Sequence, residues 1–576
     1  MKRLLLPAAV WLLFTQGVFA QTASSFDVND RLGRGINMGN SFEAPTEDAW
    51  SNPWQPEYFK IIADLGFQHV RLPVRWETPE RSMVDSPYTI NADFLQRIQA
   101  VVDTALKYKL HIIVNMHHHD SLFENVAREE TRFLSQWNQI ANHFKDYPDS
   151  LLFEVLNEPH GEITPALWND LFAKALTEIR KTNPTRSVIL GVAEYGGLTA
   201  VPQLEIPADD HLILSIHYYN PFHFTHQGAD WVGPETQAWL GTEWNDTEAE
   251  RLTVVNEFKV AQAFAEEHNL PFNVGEFGAY STADIDSRIR WTTYLARWFE
   301  SQKMSWAYWE FSAGFGIYDP ANKSFLEPLV DALLHNPMPE PTQVNTKVVY
   351  QSDFSSGRDG WLVVNQGGAA SLLDNAGNKL TVAISGGGTE GWHIQLTKTG
   401  LSFTKGKTYQ IGFSAKADEA RAATFYAGKN SDPWTAYSGY NGVTIPATET
   451  RFIFTFTMNE PTDDQARLVF DLGKSVVDLS ISDILVEEVL NSVTALDDES
   501  GGNIRVFPNP TSSQLFVSGL ENYHSARAFD MQGRFAGMLP FEPASRSIDM
   551  GRLPAGLYLV RLTKGAISET FRVIKE

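Results

Sequence analysis

The chain has 576 residues and carries 46 Lys and Arg against 70 Asp and Glu, a formal net charge of −24. A surface this acidic repels nucleic acid and anionic membranes, so neither is an expected partner, and ordinary solubility is enough to explain it. There is no cysteine, which excludes thiolate catalysis, disulfides and Cys–zinc sites, and the length suits roughly two to four domains.

Met1-Lys-Arg followed by the apolar run Leu4 to Phe14 has the form of a secretory signal. Val18-Phe-Ala20 supplies a small-residue cleavage site, so residues 1–20 are expected to be removed on export. The run is too short to span a bilayer and no later stretch is long enough, so no transmembrane segment is expected in the mature chain.

From about Arg31 to His335, short apolar runs alternate with amphipathic helical patterns. The predicted strands are Gly35–Met38, His69–Leu72, His111–Asn115, Leu151–Val155, Ser187–Leu190, Leu212–Ile216, Phe272–Val274 and Trp306–Tyr308. The predicted helices are Tyr58–Leu65, Phe94–Tyr108, Phe133–Phe144, Trp168–Arg180, Glu248–Glu267 and Arg288–Ser301. This order and length predict an α/β fold, a (β/α)8 TIM barrel over residues 21–335. The competing doubly wound sheet lacks a Gly-rich phosphate turn after its first strand.

Nearly every predicted strand ends in polar or aromatic residues: Asn37 and Asn40, Arg71, His117 to His119, Asn157 and Glu158, His217 and Tyr219, Glu276, then Trp309 and Glu310. Taken alone, Asn157 and Glu158 could be a helix cap and a surface acid. A barrel, however, gathers its C-terminal strand ends onto one rim. Glu158 and Glu276 across such a rim are the two carboxyl groups that glycosidic cleavage needs. Arg71 and Tyr219 are expected to keep Glu276 ionised, while burial and that negative charge push Glu158 toward neutral. Of the three consecutive histidines at most two can face one site, because neighbouring side chains alternate, and no metal or cofactor is expected. Trp50, Trp54, Trp137, Trp231, Trp239 and Trp244 lie near predicted loops or helix starts and are candidate sugar platforms, Trp231 first among them. Trp168 and Trp298 read as core.

Arg71, His117, Asn157-Glu158, His217-Tyr-Tyr219, Gly275-Glu-Phe-Gly278 and Trp309, in this order, resemble glycoside hydrolase family five, the cellulase family, over about Phe26 to His335. The resemblance implies a retaining double displacement with Glu158 as acid/base and Glu276 as nucleophile. It further implies that Asn157 binds the substrate 2-hydroxyl and that Trp309 stacks under the sugar. By the same likeness His117 and His217 bond to substrate and acid, and Arg71 and Tyr219 steady the nucleophile. His118, Asn40 and Trp231 complete the expected binding set. The expected activity is that of an endo-β-1,4-glucanase acting on β-glucan. A mannanase, xyloglucanase or exo-β-glucanase of the same fold, or a non-catalytic glycan-binding surface protein, are the alternatives.

Residues 336–346, Pro-rich, read as an extended linker. Residues 347–490 turn to Thr, Ser, Gly and alternating strands, which predicts a β-sandwich with Trp361 in its core. The order Trp361, Gly391-Trp-His-Ile-Gln395 and Gly406-Lys-Thr-Tyr409 resembles carbohydrate-binding modules of the family four and nine type. Trp392, Gln395, Trp434 and Tyr437 are its candidate glycan contacts, against the plainer reading of a spacer. After a second linker at 491–503, residues 504–576 form a small β domain. Its motifs Val506-Phe-Pro-Asn-Pro510, Asp530-Met-Gln-Gly-Arg534 and Leu553–Leu559 resemble the C-terminal sorting domain of the type nine secretion system. That resemblance implies secretion machinery as a partner, passage through the outer membrane with removal of the tail, and a secreted or surface-attached product.

Overall fold

The computed structural model describes residues 23–492, 506–507, 511–517, 523, 525–530, 535–542, 547–564 and 567–576. The expected signal at 1–20, most of the 491–503 linker and parts of two sorting motifs (508–510 and 531–534) lie outside these residues. Among the described residues no helix is long and apolar enough to cross a membrane.

Eight parallel strands close into a barrel: β1 (Arg34–Asn37), β2 (His69–Leu72), β3 (His111–Asn115), β4 (Leu151–Glu154), β5 (Val188–Leu190), β6 (Leu212–His217), β7 (Phe272–Phe277) and β8 (Ser305–Tyr308). Strand β1 pairs with both β2 and β8, so no edge remains. The surrounding helices are α1 (Ser25–Leu32), α2 (Glu57–Leu65), α3 (Ala92–Lys107), α4 (Asp120–Glu124), α5 (Val126–His143), α6 (Pro165–Arg180), α7 (Ala193–Gly196), α8 (Phe222–Thr225), α9 (Glu248–Glu267), α10 (Ile285–Ser301) and α11 (Glu327–Leu334). Their starts follow local chemistry. Asn91, Thr164 and Asp284 cap α3, α6 and α10 with their side chains, and Thr247 with Glu250 forms a capping box on α9.

Strand alternation sorts the barrel interior into layers. A lower apolar layer holds Ile113, Leu152, Ile189 and Ile213, closed from below by Val28 and Leu32 of α1. One step up β3 and β4, the same inward face carries Asn115 paired with Glu154, and Arg71 of β2, paired with Asn37 of β1, reaches Glu154 through its side chain. Helix α1 was not foreseen: a short segment with an unremarkable pattern, it earns its helix from the barrel floor it plugs and from the Ser24–Asp27 capping box.

Residues 336–342 lie along the barrel surface. Arg297 donates to Asn336 O at 2.9 Å, Arg251 to Pro339 O at 3.0 Å, and Thr342 N to Asp246 O at 2.8 Å. The next strand of the chain's large sheets, Val344–Ser352, begins inside the stretch expected to be linker. It opens a two-sheet sandwich whose outer sheet is built from residues 362–365, 394–403, 463–471, 421–428 and 441–445. Trp361 is buried in its core, as expected, and bonds the Tyr350 hydroxyl at 3.0 Å. Asn256 and Lys259 of α9 reach Arg451 O (2.9 Å) and Thr450 Oγ1 (3.2 Å), tying the sandwich to the barrel. The C-terminal residues form two four-stranded sheets around their own core of Leu515, Val517, Ile548, Val560 and Leu562.

Truncating the floor plug tests its share of the stability. Leu32→Ala should cost about 2–5 kcal/mol, read as a lower Tm in calorimetry, while KM for any substrate stays unchanged. An unaltered Tm would show that α1 is dispensable.

Candidate active site

Barrel register brings the polar strand ends together. Asn37 pairs with Arg71 across β1 and β2, and His217 pairs with Glu276 across β6 and β7. Gly275, one residue before Glu276, is bare for a reason: a Cβ there would lie 2.8 Å from Ser215 Oγ and 3.2 Å from His217 Nε2. Glu158 itself takes a left-handed backbone (φ 46) just past β4, a conformation that costs a non-glycine residue about 1–2 kcal/mol and is retained where function requires it.

Arg71, almost fully buried, is the centre of the site. Its Nε and one Nη2 hydrogen go to the Glu154 carboxylate, both at 2.6 Å. The other Nη2 hydrogen goes to Asn157 Oδ1 at 2.7 Å, and Nη1 reaches Asn37 Oδ1 at 2.9 Å and Glu276 Oε1 at 2.6 Å. All five guanidinium donors are therefore used. The Tyr219 hydroxyl donates to the second oxygen of Glu276 at 2.8 Å. His217 Nδ1 lies 2.7 Å from Glu158 Oε1 and 3.6 Å from Glu276 Oε2. One oxygen of Glu158, one of Glu276 and a His217 ring nitrogen lie within 4.8 Å of one another.

The protons are arranged differently from the expected neutral Glu158 and ionised Glu276. Burial drives both carboxyls up, but at Glu158 the hydrogen bond and charge of His217 outweigh it, and the carboxyl ends below its ordinary value. At Glu276 burial prevails over the charges of His217 and Arg71, and Glu158 adds to the push upward. Burial lowers His217, yet the two carboxylates raise it further, so it is held above its ordinary value. With Glu158 held low and His217 held high, the transferable proton rests on the His217 side of the His217–Glu158 bond. The reason is that His217 stands between two acids, which no reading of either acid alone includes. Burial, then Glu276, keeps Tyr219 a phenol, and burial keeps His117 neutral.

The remaining candidates divide. Trp309 stacks on His117 with ring centres 5.5 Å apart, and His118 sits against His117 and Trp50. His119 points away, buried beside Phe133 and Met116, so two of the three histidines face the site. Asn40 has φ 61 and donates its N–H to the buried carboxylate of Glu43. Trp231 is 57% exposed against Tyr280 and Phe315, and Trp50 and Trp239 also reach the surface. Trp54, Trp137 and Trp244 are buried and are not sugar platforms, contrary to expectation; Trp137 lies inside α5 and donates to Val155 O.

Three acids were missed or underrated. Glu154 hid inside the apolar run Leu151–Leu156, where its inward register is the only signal. Burial raises Glu43 to about 8 and Glu310 to about 7. Glu43 accepts from Ser41 N at 3.0 Å, and Glu310 from Ser312 and Ala313 N, so each ties down a loop at the rim. On the sandwich, Gln395 donates to Asp471 at 2.7 Å and Tyr426 at 3.2 Å, and Arg467 lies over the Trp434 ring at 4.5 Å. These residues and the half-exposed Trp392 belong to the outer sheet or its rim. Tyr437, half-buried, lies at the same rim: its N–H donates to Ala427 O at 2.8 Å, its hydroxyl donates to Asp463 at 2.7 Å and its ring packs on the core.

Residues 30–314 match the family Cellulase (glycosyl hydrolase family 5), residues 346–478 a carbohydrate binding domain, and residues 505–576 a secretion system C-terminal sorting domain. Endoglucanase H of Acetivibrio thermocellus is 37% identical over 271 residues, 47% of this chain and 28% of its own length. The chain therefore spans well under half of that curated relative. Endoglucanase Cel5A of the hyperthermophilic Thermotoga maritima is 43% identical, covering 54% of this chain and all of the other, with a TM-score of 0.53. A structure of the same Thermotoga protein in complex with mannotriose as substrate is 42% identical over 54% of this chain and 99% of that one, TM-score 0.52.

Two outcomes follow from this geometry. Arg71→Lys cannot span two carboxylates and two amides, so kcat should fall by about 100-fold or more and stability by about 3–5 kcal/mol, measured by kinetics and chemical denaturation. The rate profile kcat/KM against pH should rise through a pKa above 4.5 as Glu276 ionises. It should fall again only above 6.5, when the His217–Glu158 pair loses its proton. An alkaline limb at or below 6.5 would contradict the proton placement.

Proposed function

Because the chain belongs, through residues 30–314, to glycosyl hydrolase family 5, we propose that it is a secreted, retaining endo-β-1,4-glucanase that cuts β-glucan chains internally. The observation that carries this reading is the closeness of the two carboxyls, with oxygens of Glu158 and Glu276 within 4.8 Å. A retaining pair stands about 5 Å apart, whereas an inverting pair needs room for a water between.

Glu276, held by Arg71 and Tyr219, attacks the anomeric carbon. Glu158 gives the leaving oxygen its proton, drawing on the one it shares with His217. The leaving chain departs and a covalent glycosyl–Glu276 intermediate remains. Glu158, now a base, takes a proton from water, which attacks the same carbon, breaks its bond to Glu276, frees that carboxylate and restores the original configuration. Asn157 turns its carbonyl oxygen to Arg71, which leaves its amide N–H donors free for the substrate 2-hydroxyl. Trp309, stacked on His117, offers a flat apolar surface to the sugar bound at the cleavage point. Asn40, His118 and Trp231 line the approach as further sugar contacts.

On the carbohydrate-binding module, Trp392, Gln395 and Trp434 grip the glycan, with Tyr426 and Asp471 holding Gln395 in place and Arg467 holding Trp434. The sorting domain delivers the enzyme through the outer membrane to the medium or the cell surface. Cleavage of β-mannan is the second reading, favoured by the mannotriose complex of the Thermotoga relative.

Proton NMR of a cellooligosaccharide digest tests the mechanism: the β-anomer should appear first, and an initial α-anomer would exclude double displacement. Glu158→Gln should lower hydrolysis of an unactivated β-glucan by about 100- to 10,000-fold while polysaccharide binding persists. Unchanged hydrolysis in that variant would remove Glu158 from the acid role.

A further inference from the structure

One face of the C-terminal sheet is out of character with so acidic a chain. Arg527 and Phe529 alternate along the strand Ser525–Asp530, and Leu559 and Arg561 along Gly556–Lys564. Register sets Arg527 opposite Arg561, Phe529 opposite Leu559, and Leu559 opposite Arg572 of the next strand. Residues two apart share a face. Three guanidinium groups and two apolar side chains therefore form a single patch.

That patch meets the barrel at α10 and α11. Phe529 and Leu559 are buried with Ile285, and Ile289 and Leu326 pack around them. Arg527 donates to Glu327 at 3.1 Å, Arg561 to Asp331 and Arg572 to Asp286. Arg561 also lies over the Phe529 ring at 5.3 Å, joining the charged and apolar halves. The Arg561–Asp331 pair is the most enclosed, with 11% and 25% of its side chains exposed, while Arg527 and Glu327 are more open at 38% and 39%. Three acids of the barrel thus stand one-to-one against three arginines of the tail.

We propose that this α10–α11 surface is a docking site for the chain's own sorting domain, and that it retains the domain non-covalently after the connecting residues 493–505 are cut. The tail is then held in one place on the barrel before export, and its release after cutting is a dissociation step governed by salt. Ion pairs that are partly exposed are screened by added salt, whereas the apolar seat is not.

The test uses the full chain with a specific protease site inserted between 493 and 505. After cutting, the tail should co-elute with the rest of the protein at about 0.15 M salt and separate at about 1 M. Asp331→Arg should weaken retention by roughly tenfold, and adding Arg561→Asp should restore it, since each swap repairs the other's charge. Separation at the lower salt, or retention indifferent to Asp331→Arg, overturns the proposal. A second measurement avoids cutting. As the chain has no cysteine, Glu327→Cys with Arg527→Cys gives a single reactive pair that a short bismaleimide should join in the intact protein. Failure of that crosslink overturns the docking as well.

Discussion

A guanidinium group buried under the barrel rim needs every one of its five hydrogens matched, and the whole site is arranged to match them. Arg71 donates two bonds to Glu154, one to Glu276 and one each to Asn37 and Asn157. A buried cation left short of partners would cost several kcal/mol, so each partner is locked in turn. Asn37 is braced by the carbonyl of Gly275 at 2.9 Å, which links β1 to the strand that carries Glu276. The position of Glu276 is thus set by residues from β1, β2, β4 and β6, and no single loop can shift it.

The second constraint is the single proton shared around His217. With carboxylates on two sides, the imidazole keeps a proton that a solvent-exposed histidine would lose earlier. Glu158, the more exposed of the two acids at 25% against 6% of its side chain, holds the shorter bond to His217, and that bond draws its carboxyl down while Glu276 is held up by burial. Rim loops are fixed by a different device. Glu43 and Glu310 are carboxyls sunk among backbone N–H donors, and burial raises both. Each organises its own loop by several bonds to consecutive residues, which is how irregular backbone beside Asn40 and Trp309 stays ordered without regular secondary structure.

The three parts of the chain are less independent than a string of modules. The proline-punctuated segment after the barrel is anchored by Arg251 and Arg297, and the sandwich rests on α9 through Thr450 and Arg451. The sorting domain rests on α10 and α11. Neighbouring helices of one barrel thus support both appended domains. The outer sheet of the sandwich, which carries the candidate glycan contacts, lies opposite the sheet whose edge strand touches α9, so those candidates and the anchor to the barrel lie on different sheets.

How much could be read before folding depends on whether a property is local. Parallel strands buried on both faces are short apolar runs with polar ends, so all eight barrel strands, and the rim residues Arg71, Glu158, His217 and Glu276, could be picked out in order. Helices α3, α6, α9 and α10 were visible from their amphipathic period. Glu154 could not be recognised as a site residue, because an acid in an apolar run declares its role only when the neighbouring strand supplies Arg71. Trp137 and Trp244 looked like platforms until packing enclosed them, and α1 had no purpose until there was a barrel floor to close. The identity of the residues able to do chemistry was thus a matter of sequence. Their separation, the ownership of the proton and the surfaces that hold the domains together were decided by closure of the barrel, since each depends on side chains brought together from distant strands.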